Sequence, residues 1–166
     1  MKAVLISIQP KWCELIARGK KTVEIRKTKP KLDVPFKVYI YQTRRTWIYD
    51  IYSRIADWQG KVIGEFVCDS IIQIGYNKNG YGLDDFVVNG VIAKSCVPEK
   101  EIYHYLQGKK PYLWHISNLI IYDKPKELSE FRLYNVRVYY DEELKLPMPT
   151  HEITRPPQSW CYVKEV

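Results

Sequence analysis

The side chains best suited to chemistry lie together in residues 19–26, which read Gly-Lys-Lys-Thr-Val-Glu-Ile-Arg. From Thr22 onward, polar and apolar residues alternate with the two-residue period of a β-strand, so Thr22, Glu24 and Arg26 share one face. A hydroxyl, a carboxylate and a guanidinium then stand side by side, and the ammonium of Lys21 lies at one end. Such a face can bind a charged ligand. We expect Glu24 to pair with Arg26 or Lys21 rather than to point to bulk solvent.

A helix immediately upstream must position this face. Trp12, Leu15 and Ile16 recur at helical spacing and predict a helix over 10–18. Gly19 follows that helix, at the position where the backbone often turns left-handed. The sequence therefore predicts a helix end that leads directly into a strand.

A first strand is predicted over 4–9, and its polar side chains Ser7 and Gln9 lie at its exit. The start of the next helix carries free N–H groups and the positive end of the helix dipole, which favour a phosphate or a base edge. An equally good interpretation is that Gln9 only caps the helix.

The rest of the chain predicts a mixture of strands and helices in one domain over residues 1–166. Strands are predicted over 36–43, 61–72, 112–117 with a continuation over 119–122, and 136–140. Helices are predicted over 47–58, 83–93 and 98–106, with a turn-rich loop over 77–82. From residue 146, four prolines predict a segment that wraps the surface, and 158–163 is predicted to dock back as an edge strand.

Two further residues have both a chemical and a structural interpretation. Glu65 lies within an apolar run, and a buried carboxylate there requires a partner. It is either a site residue or the counter-ion of a structural arginine such as Arg26, and the structural pairing is favoured. His115 could serve as an acid or base near neutral pH, although a lone strand histidine is more often structural. The predicted helix over 47–58 is interpreted as core packing rather than a lid.

The positive charge is concentrated at the start of the chain. The net charge is +7, and residues 1–31 hold nine Lys/Arg against Glu14 and Glu24, so the remaining residues are balanced. A local basic field attracts phosphates. The alternative is a solvated basic face that serves solubility.

Several classes of protein are disfavoured by composition. The 166 residues are 46% hydrophobic, which fits a globular domain with a core, and no apolar run approaches a membrane span. The four cysteines and three histidines are scattered without zinc spacing, so no metal or other cofactor is predicted and the thiols are expected to be reduced and mostly buried. The start of the chain is too short for a signal peptide. We expect a cytoplasmic protein without membrane contact, and a monomer is assumed.

The central stretch and several later pieces together resemble the ASCH domain family of the PUA-like superfamily, and its phage and bacterial members in particular. Besides residues 19–26, the matching pieces are 60–66, 114–117 with Pro125, Leu128 and Phe131, and 157–163. The resemblance implies an α+β fold, a PUA-like mixed β-barrel or sheet flanked by helices. It also implies a cleft beside the first helix and the Lys-Thr-x-Glu-x-Arg strand.

The resemblance implies two kinds of function. PUA-like proteins commonly bind RNA, which favours a nucleic-acid or nucleotide binding module with RNA, single-stranded DNA or a nucleotide or nucleoside as its partner. Phosphate contacts would come from the basic field, and stacking from Trp12, Tyr41 and Trp114. The candidate binding residues are Ser7, Gln9, Lys11, Trp12, Lys20, Lys21, Thr22, Glu24, Arg26, Tyr41 and Trp114.

The alternative is a hydrolase, either an amidohydrolase acting on acetylated cytidine or a ribonuclease. Lys21 would be the cation or base, and Glu24 or Glu65 the carboxylate. Small amidohydrolase members of the family carry Lys-Thr-x-Thr with a catalytic second threonine, a position that is Glu24 here. The substitution removes the nucleophile, so binding is favoured over catalysis.

Overall fold

The structure, a computed structural model, describes residues 1–44, 55–75, 90 and 93–166. It divides into two compact units. The first unit comprises residues 1–10, 37–65 and 121–166, and the second comprises 11–36 and 66–120. Within the described residues, no helix is long and apolar enough to span a membrane.

The described strands are β1 (Lys2–Ile8), β2 (Val23–Arg26), β3 (Phe36–Gln42), β4 (Val62–Cys68), β5 (Ile71–Gln73), β6 (Tyr112–His115), β7 (Ser117–Lys126), β8 (Arg132–Asp141), β9 (Leu146–Glu152) and β10 (Trp160–Lys164). The described α-helices are α1 (Pro10–Ala17) and α2 (Glu99–Leu106). Short 3-10 turns cover Ala56–Trp58 and Leu128–Glu130.

The first unit is built on a seven-stranded sheet of order β7-β4-β3-β1-β10-β8-β9. Its central strand β1 pairs in parallel with β3 and antiparallel with β10. The core of this unit consists of apolar side chains from several of these strands and from residues nearby. They are Ala3, Leu5, Tyr39, Tyr41, Val62, Phe131, Leu133, Ile153 and Val163.

The second unit holds a three-stranded sheet of order β2-β6-β5, with β6 antiparallel to both neighbours. Val23 and Ile25 point from β2 into its core, where they pack with the apolar face of α2 and with β6. The members of this core are Val23, Ile25, Ile74, Ile102, Leu106 and Leu113. Strand β2 therefore keeps its apolar face in a core, which leaves the face of Glu24 and Arg26 for polar contacts.

The elements around the candidate site agree with the sequence patterns. The predicted first helix is α1, and Gly19 has the expected left-handed backbone with φ of 68°. The predicted helix over 98–106 is α2, and the predicted strand over 36–43 corresponds to β3. The segment after residue 146 lies at the surface, as predicted, where it forms the mostly exposed edge strand β9 and its prolines are tolerated. The α+β class, with a mixed sheet, is confirmed.

Three predictions about strands were wrong. The strand expected over 61–72 divides at Asp69 and Ser70, two residue types that favour turns, and β4 and β5 join different sheets. The strand expected over 112–117 with a continuation over 119–122 divides at Ile116, and β6 and β7 join different sheets. Strand β10 is interior rather than an edge, since it pairs with both β1 and β8.

Other predictions fall on residues that the structure does not describe. The predicted loop over 77–82 lies wholly outside the described residues, as does most of the predicted helix over 83–93. The predicted helix over 47–58 also lies mostly outside them, and its described end, Ala56–Trp58, is a 3-10 turn before Gly60. The single domain over 1–166 stays a prediction.

Candidate functional site

Glu24 joins two cations within the second unit. Its Oε2 lies 3.1 Å from Lys21 Nζ, and its Oε1 lies 3.0 Å from Arg26 Nη2. All three residues are buried, with exposed fractions of 2% for Lys21 and 7% each for Glu24 and Arg26. The expected pairing of Glu24 is therefore confirmed. We call these three residues the buried triad.

The end of α1 places Lys21 in this position. Gly19 donates its backbone N–H to Ile16 O at 2.8 Å, and the backbone N–H groups of Lys20 and Lys21 both donate to Leu15 O. These bonds close the helix over a left-handed glycine, as in common helix-ending motifs. The chain then enters β2 with Lys21 directed inward while Lys20 stays exposed.

The ammonium of Lys21 has an acceptor for each of its N–H donors. Besides Glu24, its Nζ donates to Val23 O and Ser95 O, both at 2.8 Å. It also lies 5.6 Å from the ring centroid of Trp12. Three acceptors around one ammonium match its three N–H donors, an arrangement that fits the charged group. Because Val23 O and Ser95 O are backbone carbonyls, Lys21 ties β2 to the segment before α2.

Cys13 lies close enough to the buried triad to be affected by its charges. Burial raises the pKa of the Cys13 thiol well above its usual value, and the negative charge of Glu24 raises it further. The nearby cations Arg26 and Lys21 oppose this rise without cancelling it. The thiol is therefore neutral at physiological pH, and a neutral buried thiol is a poor nucleophile.

Four members of the predicted set in the second unit reach solvent: Lys11, Trp12, Lys20 and Thr22. Lys11 Nζ lies 3.2 Å from Glu101 Oε1 and 4.1 Å from the ring centroid of Trp12, and both Lys11 and Trp12 are half-buried. Thr22 is also half-buried, and its backbone N–H donates to Lys94 O at 2.8 Å. Trp12 is thus the one ring among the three predicted stacking aromatics with solvent exposure.

The other two aromatics are core residues, so their prediction as stacking rings is corrected. Trp114 is fully buried and meets Phe36 edge-on, with ring centroids 5.9 Å apart. Tyr41 is 3% exposed and belongs to the core of the first unit. A strand aromatic has the same sequence pattern whether it faces a ligand or a core, and here the neighbours Ile40 and Leu113, on the opposite faces, are buried as well.

Ser7, Gln9 and Glu65 belong to the first unit. The Ser7 hydroxyl donates to Pro157 O at 2.6 Å, which gives it a structural role, and Gln9 is half-buried. Glu65 accepts a hydrogen bond from Tyr122 at 2.6 Å and lies 3.1 Å from Lys37 Nζ.

Glu65 is therefore the counter-ion of Lys37. The suggestion that it pairs with Arg26 was wrong, since the carboxylate at Arg26 is Glu24. Burial raises the pKa of Glu65, but the hydrogen bonds from Tyr122 and Lys37 outweigh burial and hold the pKa below its ordinary value.

His115 forms a pair that sequence reasoning missed. Its Nδ1 lies 2.7 Å from Asp69 Oδ1, and both side chains are 44% exposed. The hydrogen bond from His115 lowers the pKa of Asp69. Asp69 occupies the break between β4 and β5, so the wrong prediction of one continuous strand hid this partner.

Two lysine–tyrosine contacts in the second unit were also missed. Lys27 Nζ lies 4.9 Å from the ring centroid of Tyr105, and Lys29 Nζ lies 5.9 Å from that of Tyr112. The connector between β2 and β3, residues 27–35, is basic, and its sequence does not indicate its aromatic neighbours, which come from α2 and β6. Within the part of the chain that the structure describes, no group of three or more His, Cys, Asp or Glu side chains could hold a metal ion.

The fold and the motif define the class of protein. The architecture is that of a PUA-like α+β protein, and the model of the ASCH domain matches residues 6–138. Since that match spans most of the chain, the protein belongs to the ASCH domain family. Membership of this family indicates nucleic-acid binding in general terms.

Solved structures share the fold at low sequence identity. The ASCH protein from Zymomonas mobilis is 19% identical, with a TM-score of 0.59, and the match covers 98% of this chain and 88% of that chain. A mutant of that protein with a tyrosine replaced by phenylalanine is also 19% identical, with a TM-score of 0.59, and the match covers 99% of this chain and 92% of that chain. No curated protein sequence matches the chain.

Proposed function

We propose that the chain is an RNA-binding module whose phosphate contacts come from the basic surface around α1 and the connector after β2. The supporting observation is the distribution of charge between the two units. The second unit holds 13 Lys/Arg and 8 Asp/Glu, a net charge of +5, whereas the first holds 13 and 11, a net charge of +2. A basic surface of this kind attracts a nucleic-acid backbone.

Burial divides the basic residues of the second unit into two groups. Lys21 and Arg26 are buried and share Glu24, so their charges stabilise the fold. Lys20, Lys27 and Lys29 are at least partly exposed, and among the described residues none of them forms a salt bridge. Phosphate contacts are therefore assigned to the exposed group.

Charge reversal tests this assignment against a matched pair. The double variant Lys20→Glu/Lys27→Glu should weaken binding to all RNA sequences. The slope of log K against log salt should become shallower by about 1.4, since each contact with a single strand contributes about 0.7. The matched control is Lys124→Glu/Lys126→Glu in the first unit, which should leave binding unchanged.

The measurement is fluorescence anisotropy of a labelled single-stranded RNA at several salt concentrations. Circular dichroism of both variants shows whether they fold. If the charge reversals in the second unit and in the first unit weaken RNA binding equally, the unequal distribution of charge does not mark an RNA-binding surface.

The hydrolase alternative has one observation in its favour, the contact between Lys21 and Glu24. The other contacts of Lys21 oppose it, because a general base needs a free lone pair and this ammonium already faces three acceptors. We expect no turnover of acetylcytidine and no RNA cleavage by the purified protein. Turnover in the wild type that disappears in Lys21→Arg would establish the alternative, since a guanidinium stays protonated.

A further inference from the structure

We propose that four residues of the second unit, Lys27, Lys29, Tyr105 and Tyr112, form a surface that binds single-stranded RNA by stacking bases on the two tyrosine rings. We call this the lysine–tyrosine surface. The inference rests on the proposed RNA binding and deepens it, because it names the form of RNA and the residues that stack.

The backbone brings the four residues together from three elements. Strands β2 and β6 pair until Arg26 lies opposite Tyr112, so the connector after Arg26 begins beside the residues that precede Tyr112. Lys29 lies in this connector, with its Nζ 5.9 Å from the Tyr112 ring centroid. Tyr105 lies in the last turn of α2, 37% exposed, and Lys27 Nζ is 4.9 Å from its ring centroid.

The two segments that carry the surface hold charges of one sign. Residues 27–32 and 102–113, which form or flank the surface, hold five lysines and neither Asp nor Glu. The acidic residues of α2, Glu99 and Glu101, lie in its first turn, at the opposite end from Tyr105. Glu101 is already paired with Lys11. The sugar–phosphate backbone therefore meets cations beside both rings.

This combination of groups is suited to a single strand. Proteins that bind single strands combine a basic groove with exposed aromatic rings on which successive bases stack. A duplex offers phosphates but keeps its bases stacked on one another, so the tyrosines add little to duplex binding. Two of the three rings predicted for stacking from sequence, Tyr41 and Trp114, are buried in cores and cannot serve. Tyr105 and Tyr112 instead provide rings beside exposed cations.

Substitution of the rings separates stacking from charge. Tyr105→Leu and Tyr112→Leu each keep an apolar side chain and should each weaken binding of a labelled 12-nucleotide single-stranded RNA about ten-fold, with an unchanged salt slope. Neither tyrosine change should weaken binding of duplex RNA by that factor. Lys27→Gln/Lys29→Gln should instead make the salt slope shallower by about 1.4.

Tyr103 provides the matched control. It lies on the same helix with a similar exposure of 36%, but roughly 200° around the helix from Tyr105. Tyr103→Leu should leave RNA affinity unchanged. Circular dichroism checks the folding of all variants. Tyr112 is half-buried, so Tyr105→Leu alone, which changes an exposed ring, keeps the proposal testable if Tyr112→Leu fails to fold.

The outcomes distinguish this inference from the proposed function. If wild-type protein binds RNA with the expected salt dependence but Tyr105→Leu binds as tightly as Tyr103→Leu, the lysine–tyrosine surface is refuted and RNA binding stands. Equal affinity of the wild type for single-stranded and duplex RNA would also overturn the stacking model. If the wild type binds no RNA at all, the proposed function itself fails.

Discussion

Replacing Glu24 with glutamine is the most direct test of the buried triad. The carboxylate lies about 3 Å from two cations, and all three residues are at most 7% exposed. At such a separation each pair attracts by about 5 kcal/mol with an effective dielectric constant of about 20. The cost of dehydrating the three ions offsets part of this attraction. The variant keeps the size of the side chain but removes the carboxylate that the buried Lys21 and Arg26 share.

The expected loss in the free energy of unfolding is about 3–5 kcal/mol, the usual result of removing one partner from a buried ion pair. That is a large part of the roughly 5–15 kcal/mol by which domains are stable. Glu14→Gln is the matched control, because it removes a carboxylate from an exposed i,i+4 pair with Arg18. Pairs of that kind contribute about 0.3–0.5 kcal/mol.

Urea unfolding at pH 7, followed by circular dichroism, measures both losses, with equal m-values as the check on two-state behaviour. A double-mutant cycle of Glu24→Gln with Lys21→Met should show a coupling of about 1–3 kcal/mol, because the second change removes one uncompensated cation. A loss in the free energy of unfolding below about 1 kcal/mol for Glu24→Gln, or one equal to that of Glu14→Gln, would show that the Glu24 carboxylate does not stabilise the two buried cations.

Three further predictions concern pH, thiols and backbone. Because the folded-state pKa of Glu65 is lowered, its stabilising contribution is present at neutral pH and lost as the pH falls below about 4.3. Glu65→Gln should therefore be less stable than the wild type at pH 7, and the difference in urea unfolding should shrink in acid. Among the four free cysteines, Cys96 should react first with iodoacetamide. Cys13 and Cys68 are buried, and burial raises the pKa of Cys161 to about 11. Mass spectrometry of partly labelled protein identifies the cysteine that has reacted. Gly19→Ala should lower the free energy of unfolding by about 1–2 kcal/mol in the same assay. Gly19 has a left-handed backbone with φ of 68°, and the added Cβ would meet no atom within 4 Å. The loss therefore comes from the left-handed backbone alone.

Local patterns were enough to predict the centre of the second unit. The helical spacing of apolar residues predicted α1, and Gly19 after the helix predicted the left-handed turn. The alternation in β2 predicted that Glu24 and Arg26 share one face. Lys21, Glu24 and Arg26 lie within six residues, so the carboxylate has both cations close to it in sequence. These inferences depend only on neighbours in sequence, which is why they agree with the structure.

Contacts between distant segments could not be predicted in the same way. Ser95 O, which accepts a hydrogen bond from Lys21, lies 74 residues away in sequence. The partner of Glu65 depends on the pairing of β4 with neighbouring strands, and Lys37 and Tyr122 lie far along the chain on either side. Burial of Tyr41 and Trp114 follows from sheet packing, and alternation within one strand does not specify which of its faces is covered.

The buried triad explains why this chain departs from the Lys-Thr-x-Thr pattern without losing the fold. A threonine at position 24 would bring a hydroxyl but no negative charge to the two buried cations. Glu24 supplies the charge that both cations require, so the glutamate and Arg26 belong together. The same arrangement commits Lys21 to the interior, where it holds two backbone carbonyls. Lys21, Glu24 and Arg26, all from the stretch that resembles the family, thus stabilise the second unit from within.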